Sequence, residues 1–434
     1  MSTSSDEKTD YSKLTRTHLI SLCKQHTLKG FSNKKKDDLI QLLSSLNPIT
    51  IPNPITIPNP ITIPNPITIP NPVKRSRPVI KTRKDDKIIR LNYIGSKYQL
   101  LDWLTETIKE KTGWSSFNQK RVGDLFSGTG IVSHHFRKLH SILSSNDAEQ
   151  YSSIITYAFT CSTYNEVCKN TILLLQSELL ENRHLESNGY ITRNYSPFEE
   201  NERQFFTVEN ANRIDYLRHR IQELQSELSE KDYKFILASL IISADLVSNV
   251  PAVYGCYLKK FKSKALKELT LKPIHQVDEE SESKSNTFCS NILKDDFIQL
   301  MECDMIYLDP PYNERQYSKN YFPLNMIAKT PNELEKEQPL KGKTGIPTDC
   351  FISPFCKKGK TVEDAFDKLF RELKTQWIFL SYNSESIVKK EKILELMKKY
   401  GQATVVERDY KRFKSFEYNK DVTIKEYLFC LQKY

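Results

Sequence analysis

No run of 18 apolar residues occurs in the 434-residue sequence, which excludes a membrane-spanning helix. There is no CxxC pair either. The nine cysteines stand apart at 23, 161, 168, 256, 289, 303, 350, 356 and 430, an odd number with neither zinc-ligand spacing nor a disulfide framework. They are expected to be reduced thiols of a soluble protein that works inside the cell. The opening, MSTSSDEKTD, is polar and acidic, so it is expected not to be a secretory signal. Acidic excess is also lacking, since 64 Lys/Arg stand against 54 Asp/Glu. What is present, 38% apolar, 27% charged and 11% aromatic residues, is the composition of a globular chain of two or three domains.

The charge is unevenly spread. Residues 1–90 hold 16 Lys/Arg and 7 Asp/Glu, a balance of +9, whereas the rest of the chain carries +1. Such a concentration suits a polyanion such as nucleic acid, or else a solubilising tail. Residues 49–72 are four copies of ITIPNP, and nine prolines fall within 47–72. Proline at that density removes amide donors and fixes φ, so the segment reads as a stiff, extended spacer. Before it, Leu14, Leu19, Leu22 and Cys23, then Leu39, Ile40, Leu42 and Leu43, recur at helical spacing around a turn at Lys29-Gly30. Lys34, Lys35 and Lys36 open the second helix. This pair is either a simple helical hairpin or, as it resembles, a SAP motif that tethers DNA. After the spacer, Lys74–Arg90 holds eight basic residues and two acids, suiting a nuclear-import signal or a phosphate-contacting arm. The expected division is 1–46 helical module, 47–90 spacer and basic linker, 91–434 main body.

From residue 91 strand and helix signals alternate, the pattern of a three-layer α/β body. Strands are expected at 121–126, 141–147, 304–309 and 377–384, and helices at 96–110, 151–181, 209–229 and 232–249. More than 150 residues separate the second and third of these strands. About 151–290 of that gap, helical and charged, reads as an inserted substrate-reading region.

DLFSGTG (124–130) joins a strand to a helix, and Gly128 and Gly130 permit a tight turn close to a ligand. It lacks the lysine of a P-loop and the third glycine of a dinucleotide fingerprint. Asp147, at the end of the next strand, is placed for ribose hydroxyls or for the N-cap of the helix that follows. The informative segment is LDPPYNERQYSKNY (308–321). Two prolines force the chain out of the sheet, fixing a carboxylate (Asp309), a carbonyl (Pro310) and an aromatic face (Tyr312) around one small space. Two hydrogen-bond acceptors suit an amino group that must become more nucleophilic, and a tyrosine face suits a stacked base. His134 and His135 have no acid or cysteine at ligand spacing and are expected to hold no metal.

DLFSGTG with DPPY, preceded by LNYIGSK (91–97), resembles the Dam-like, alpha-group DNA adenine methyltransferases. ERQFFTVENANRID (202–215), SNVPAVYGCYLKK (248–260), SYNSE (381–385), DYKRFKS (409–415) and EYLF (426–429) look like a restriction–modification subgroup, which includes enzymes of short palindromes such as CATG. The resemblance implies a Rossmann-like, S-adenosylmethionine-dependent methyltransferase fold with a helical DNA-recognition insertion. It implies an enzyme that methylates the exocyclic amino group of adenine in duplex DNA after base flipping, part of or derived from a restriction–modification system, with or without a cognate endonuclease; the chain is expected to be a monomer. Tyr93, Lys97, Asp124, Phe126, Gly128, Gly130, Asp147 and Asp309 would bind the cofactor, with Lys97 on its carboxylate and Asp296, or Asp295, near its adenine. Asp309, Pro310, Pro311 and Tyr312 would form the catalytic loop. Asn325 departs from the family, where an acidic residue is expected. Lys259, Lys260 and Lys262, with Lys411 and Arg412, lie in basic stretches interleaved with aromatics that suit DNA phosphates or simply solvent. Methylation of RNA, or an inactive DNA-binding body, are the other readings of this chain.

Overall fold

A computed structural model describes residues 19, 34–44, 88–185, 187–276, 284–337, 340–411 and 423–434. The chain divides into two units, residues 1–80 and 81–434. In the first, a helix spans Lys36–Ser44, with Leu39 and Leu43 buried one turn apart and Lys35 and Lys36 exposed. Two aspartates in its first turn suit the positive end of the helix dipole. Leu19 is buried; the remainder of the expected first helix, the ITIPNP spacer and the basic stretch up to residue 87 lie outside the described residues.

The second unit is built on a seven-stranded sheet. Its strands are β1 (Arg121–Asp124), β2 (Ile142–Asp147), β3 (Asn286–Cys289), β4 (Glu302–Leu308), β5 (Lys374–Asn383), β6 (Gly401–Lys411) and β7 (Thr423–Lys433). They lie in the order β3-β2-β1-β4-β5-β7-β6. The first five are parallel; β7 runs antiparallel to both β5 and β6. The central strands are near-continuous apolar runs because both their faces are covered. Met305, Tyr307, Trp377 and Phe379 point to one face, packing with α1 (Leu101–Thr112) and α2 (Ile131–Lys138). Ile306, Leu308, Ile378 and Leu380 point to the other, facing α7 (Lys360–Glu372) and α8 (Lys390–Lys398).

The expected helix over 151–181 is two helices, α3 (Gln150–Thr160) and α4 (Glu166–Leu180). The side chain of Asn165 accepts from the Cys168 amide and starts the second one. Thr207 and Ser229 cap α5 (Val208–Glu223) and α6 (Glu230–Leu246) in the same way. α3 packs on β2 and β3 and also joins α4 to α6 around a third, aromatic core. There Phe205 of the inserted region meets Phe322 edge to face, ring centroids 5.7 Å apart. Burying one such ring contributes roughly 1.5–3 kcal/mol. Phe322 belongs to the Phe322–Ala328 helix that follows the Asp309 loop, so the inserted helices brace the site directly.

Candidate active site

β1, β2 and β4 are parallel neighbours, so their carboxyl ends lie on one edge of the sheet and deliver Asp124, Asp147 and Asp309 together. After β1 the chain turns through Gly128 (φ +52°), where a Cβ would come within 3.2 Å of the Tyr93 ring. The Gly128 amide donates to Asp147 Oδ2 at 2.8 Å, and the Glu149 amide to Asp147 Oδ1 at 2.9 Å. Asp147 therefore braces the turn instead of capping the next helix, whose N-cap is Glu149. Gly130, at φ +70°, also lies in the left-handed region. Its Cβ would fall 2.9 Å from Thr156 Oγ1, so it lets α3 approach the start of α2.

LNYIGSK lies against this turn, tied down by hydrogen bonds to the inserted region and to the segment after DPPY. The Asn92 amide donates to Asp245 of α6, the Ile94 amide to the Tyr321 hydroxyl, and the Tyr317 hydroxyl to the Ile94 carbonyl. Tyr93 stacks on Tyr321, ring centroids 4.7 Å apart. Lys97, 5% exposed, donates to Asp309 Oδ1 at 2.8 Å and to the Gly95 carbonyl at 2.9 Å. Burial works against its charge, but the carboxylates of Asp309 and Glu426 more than offset that and raise its pKa. The Asp309 carboxyl is itself raised by burial, with Lys97 opposing. The Ile387 amide donates to the Tyr312 carbonyl at 3.0 Å, so the loop after β5 props the DPPY loop.

Between these segments lies a cleft of about 930 Å³, partly open to solvent. Of the residues expected here, Tyr93, Lys97, Phe126, Gly128, Asp147, Asp309, Pro311 and Tyr312 line it. Asp124 and Pro310 are buried, and Asp124, Gly130 and Pro310 sit next to the wall in the chain without lining it. Asp296 is exposed on the short Asp295–Ile298 helix and does not line the cleft; Ser290, Asn291 and Ile292 occupy that side. The residues that sequence reasoning missed, Glu149 and Phe355 among them, come from outside the motifs. Glu149 is pushed up to about 8 by burial and by Asp147, with Asn325 opposing. Asn325 Nδ2 donates to Glu149 Oε2 at 2.5 Å, while its Oδ1 accepts from the Tyr151 amide. An acid at 325 would set two carboxyls against each other, so the amide there suits this chain's Glu149.

Among the expected DNA contacts, Lys259 and Lys260 are exposed. Lys262 is half-buried, and its ammonium donates to the Val250 carbonyl, so it closes its own loop. The Lys411 side chain and Arg412 lie outside the described residues. His134 is buried against Phe159 and His275, and burial lowers it to about 3. Among the described residues no group of His, Cys, Asp or Glu could hold a metal ion.

The cleft suits a ligand with a flat apolar end, hydroxyls and a cationic end. Phe126, Ile292 and Phe355 supply apolar surface, and Asp147 a carboxylate beside a backbone turn. Asp124 is 1% exposed; its Oδ2 accepts from Ser133, but its Oδ1 has no partner among the described residues, an acceptor suited to an ammonium. These residues fit S-adenosylmethionine.

The family of D12 class N6 adenine-specific DNA methyltransferases matches residues 93–396. The chain is 37% identical over 341 residues to the Type II methyltransferase M.CviAII of Paramecium bursaria Chlorella virus 1, covering 78% of this chain and 98% of that one. It is 35% identical to the Type II methyltransferase M.NlaIII of Neisseria lactamica, covering 79% and 99%. It is 33% identical to the Type II methyltransferase M.FokI of Planomicrobium okeanokoites, covering 79% and 53%. No solved structure matches it. On these matches the chain belongs to the D12 class N6 adenine-specific DNA methyltransferases, which draw their methyl group from S-adenosylmethionine.

Proposed function

We propose that this chain is a site-specific modification enzyme of a restriction–modification system, and that Asp309, Pro310 and Tyr312 hold the target adenine while the opposite wall of the cleft holds the cofactor. The observation that carries this reading is the meeting of the DPPY loop and the Gly128 turn in one cleft. Tyr93, Phe126, Gly128, Asp147 and the buried Asp124 would hold the cofactor, while Lys97, expected on its carboxylate, donates to Asp309. When bound, it supplies a methyl group on a cationic sulfur.

An aromatic amine is a poor nucleophile because its lone pair is conjugated into the ring. Asp309 and the Pro310 carbonyl would accept from the two amine hydrogens, favouring a pyramidal nitrogen with a localised lone pair. Tyr312 would stack on the base, which must leave the duplex to reach the cleft. Placement and electrostatics carry the rate, with no covalent enzyme intermediate. The methyltransferase fold is the reading that the 3-2-1-4-5-7-6 sheet supports.

The inserted helices would read the target, a short palindrome of the CATG kind, with Lys259 and Lys260 on phosphates. The SAP-like module, through Lys34, Lys35 and Lys36, would tether the enzyme to long DNA; a cognate endonuclease is the partner such an enzyme serves. Single-molecule sequencing of DNA from cells that express the chain tests this. Methylated adenine within one short motif is the expected result, and its absence would refute the proposal.

A further inference from the structure

Two motifs, SYNSE on β5 and EYLF on β7, have no part in the transfer as described. The alternation of the sheet says where they point. Tyr307, Phe379, Leu428 and Cys430 all face the α1 side. Residues of the same parity nearer the site are Asp309, after β4, Ser381 and Asn383 on β5, and Glu426 on β7. Asn383 and Glu426 are direct cross-strand partners. The same face is covered by the segment that carries Lys97 into α1. Glu426 is 6% exposed, hydrogen-bonds Asn383, and lies close enough for its charge to act on both Lys97 and Asp309. The Lys97 ammonium thus pairs with the half-buried Asp309 while a second, buried carboxylate lies on the same face of the sheet.

This arrangement answers a difficulty in the active site. Lys97 donates to Asp309 Oδ1, one oxygen of the carboxylate that accepts from the target amine in the proposed reading. An ammonium on that oxygen weakens it as a hydrogen-bond acceptor. We propose that Glu426 is a positioning residue for methyl transfer: it takes up the Lys97 ammonium when the target base arrives and leaves the Asp309 carboxylate free for the amine. The inference rests on the proposed role of Asp309.

The other titratable groups around Glu426 are Tyr307 and Tyr312, with Arg408, its exposed cross-strand neighbour, on β6. Burial pushes Glu426 up to about 7, with Lys97 opposing and Asp309 adding. Only its ionised form can draw Lys97 away, so kcat should rise through that pH. Asp124 is also pushed up to about 7, which makes the variant necessary.

The test compares wild type, Glu426→Gln, Glu426→Asp and Asp309→Asn on a single-site duplex from pH 5.5 to 9, with cofactor affinity and melting temperature measured alongside. Glu426→Gln should keep its melting temperature and cofactor affinity, lose kcat about 10- to 100-fold, and lose the rise near neutral pH. Glu426→Asp should recover part of both. A Gln variant with wild-type kcat and pH profile overturns the proposal, as does one whose kcat, affinity and melting temperature fall together while the pH profile stays. An active Asp309→Asn variant would instead remove the reading of the site on which it rests.

Discussion

Asp309 and Tyr312 are local facts of the sequence, because two prolines after an apolar strand leave the chain few directions. Replacing Tyr312 with Ala should weaken capture of the target base by roughly 1–3 kcal/mol while leaving cofactor affinity nearly unchanged. A fluorescent base analogue at the target position should brighten with wild type and much less with the variant. The pairing of Glu149 with Asn325 could not be found that way, since the two stand 176 positions apart and packing of the Phe322–Ala328 helix on α3 brings them together. Burial raises the folded Glu149 carboxyl from 4.5 to about 8. Its favourable share of stability is complete below the ordinary value and drains away as pH rises toward 8. Glu149→Gln keeps an acceptor for Asn325 and removes the charge. Thermal melts should therefore show wild type losing roughly 1–3 kcal/mol more than the variant between pH 6 and 8.5.

Elements were legible where the apolar pattern is strong. β1, β2, β4 and β5 lie within a few residues of their expected positions, and so do α1, α5 and α6. No strand is expected at β3, whose four residues are exposed or half-buried, or at β6 and β7. The β6 segment carries Glu407, Arg408 and Asp409 on an exposed edge strand, so its charge masks its β pattern. The single helix expected over 151–181 failed at Asn165, whose cap is local chemistry that the apolar period overrides in a sequence reading. Charge alone does not say which of the lysines from Lys259 to Lys262 turn inward. Lys260→Ala should lower DNA affinity modestly and flatten its salt dependence by about one unit. Lys262→Ala should lower the melting temperature, by roughly 1 kcal/mol of stability, through the lost Val250 contact. The reverse pattern would mean that Lys262 is the phosphate contact.

At the scale of the whole molecule, a basic N-terminal stretch is separable in sequence from a near-neutral body. Removing residues 1–72 should leave the methylated sequence and single-site rates unchanged and lower the rate on plasmid DNA, because a linked module raises local concentration. That difference should shrink as salt rises. A truncated enzyme with altered target choice would make the N-terminal unit part of recognition. The account stands most directly on what Asp309 does. Purified wild type and Asp309→Ala, incubated with duplex DNA and S-adenosylmethionine, can be compared by mass spectrometry of the digested nucleosides. Wild type should yield N6-methyladenine, and the variant, still folded and still binding cofactor, about 100- to 1,000-fold less. A variant that methylates adenine at near the wild-type rate would contradict the account.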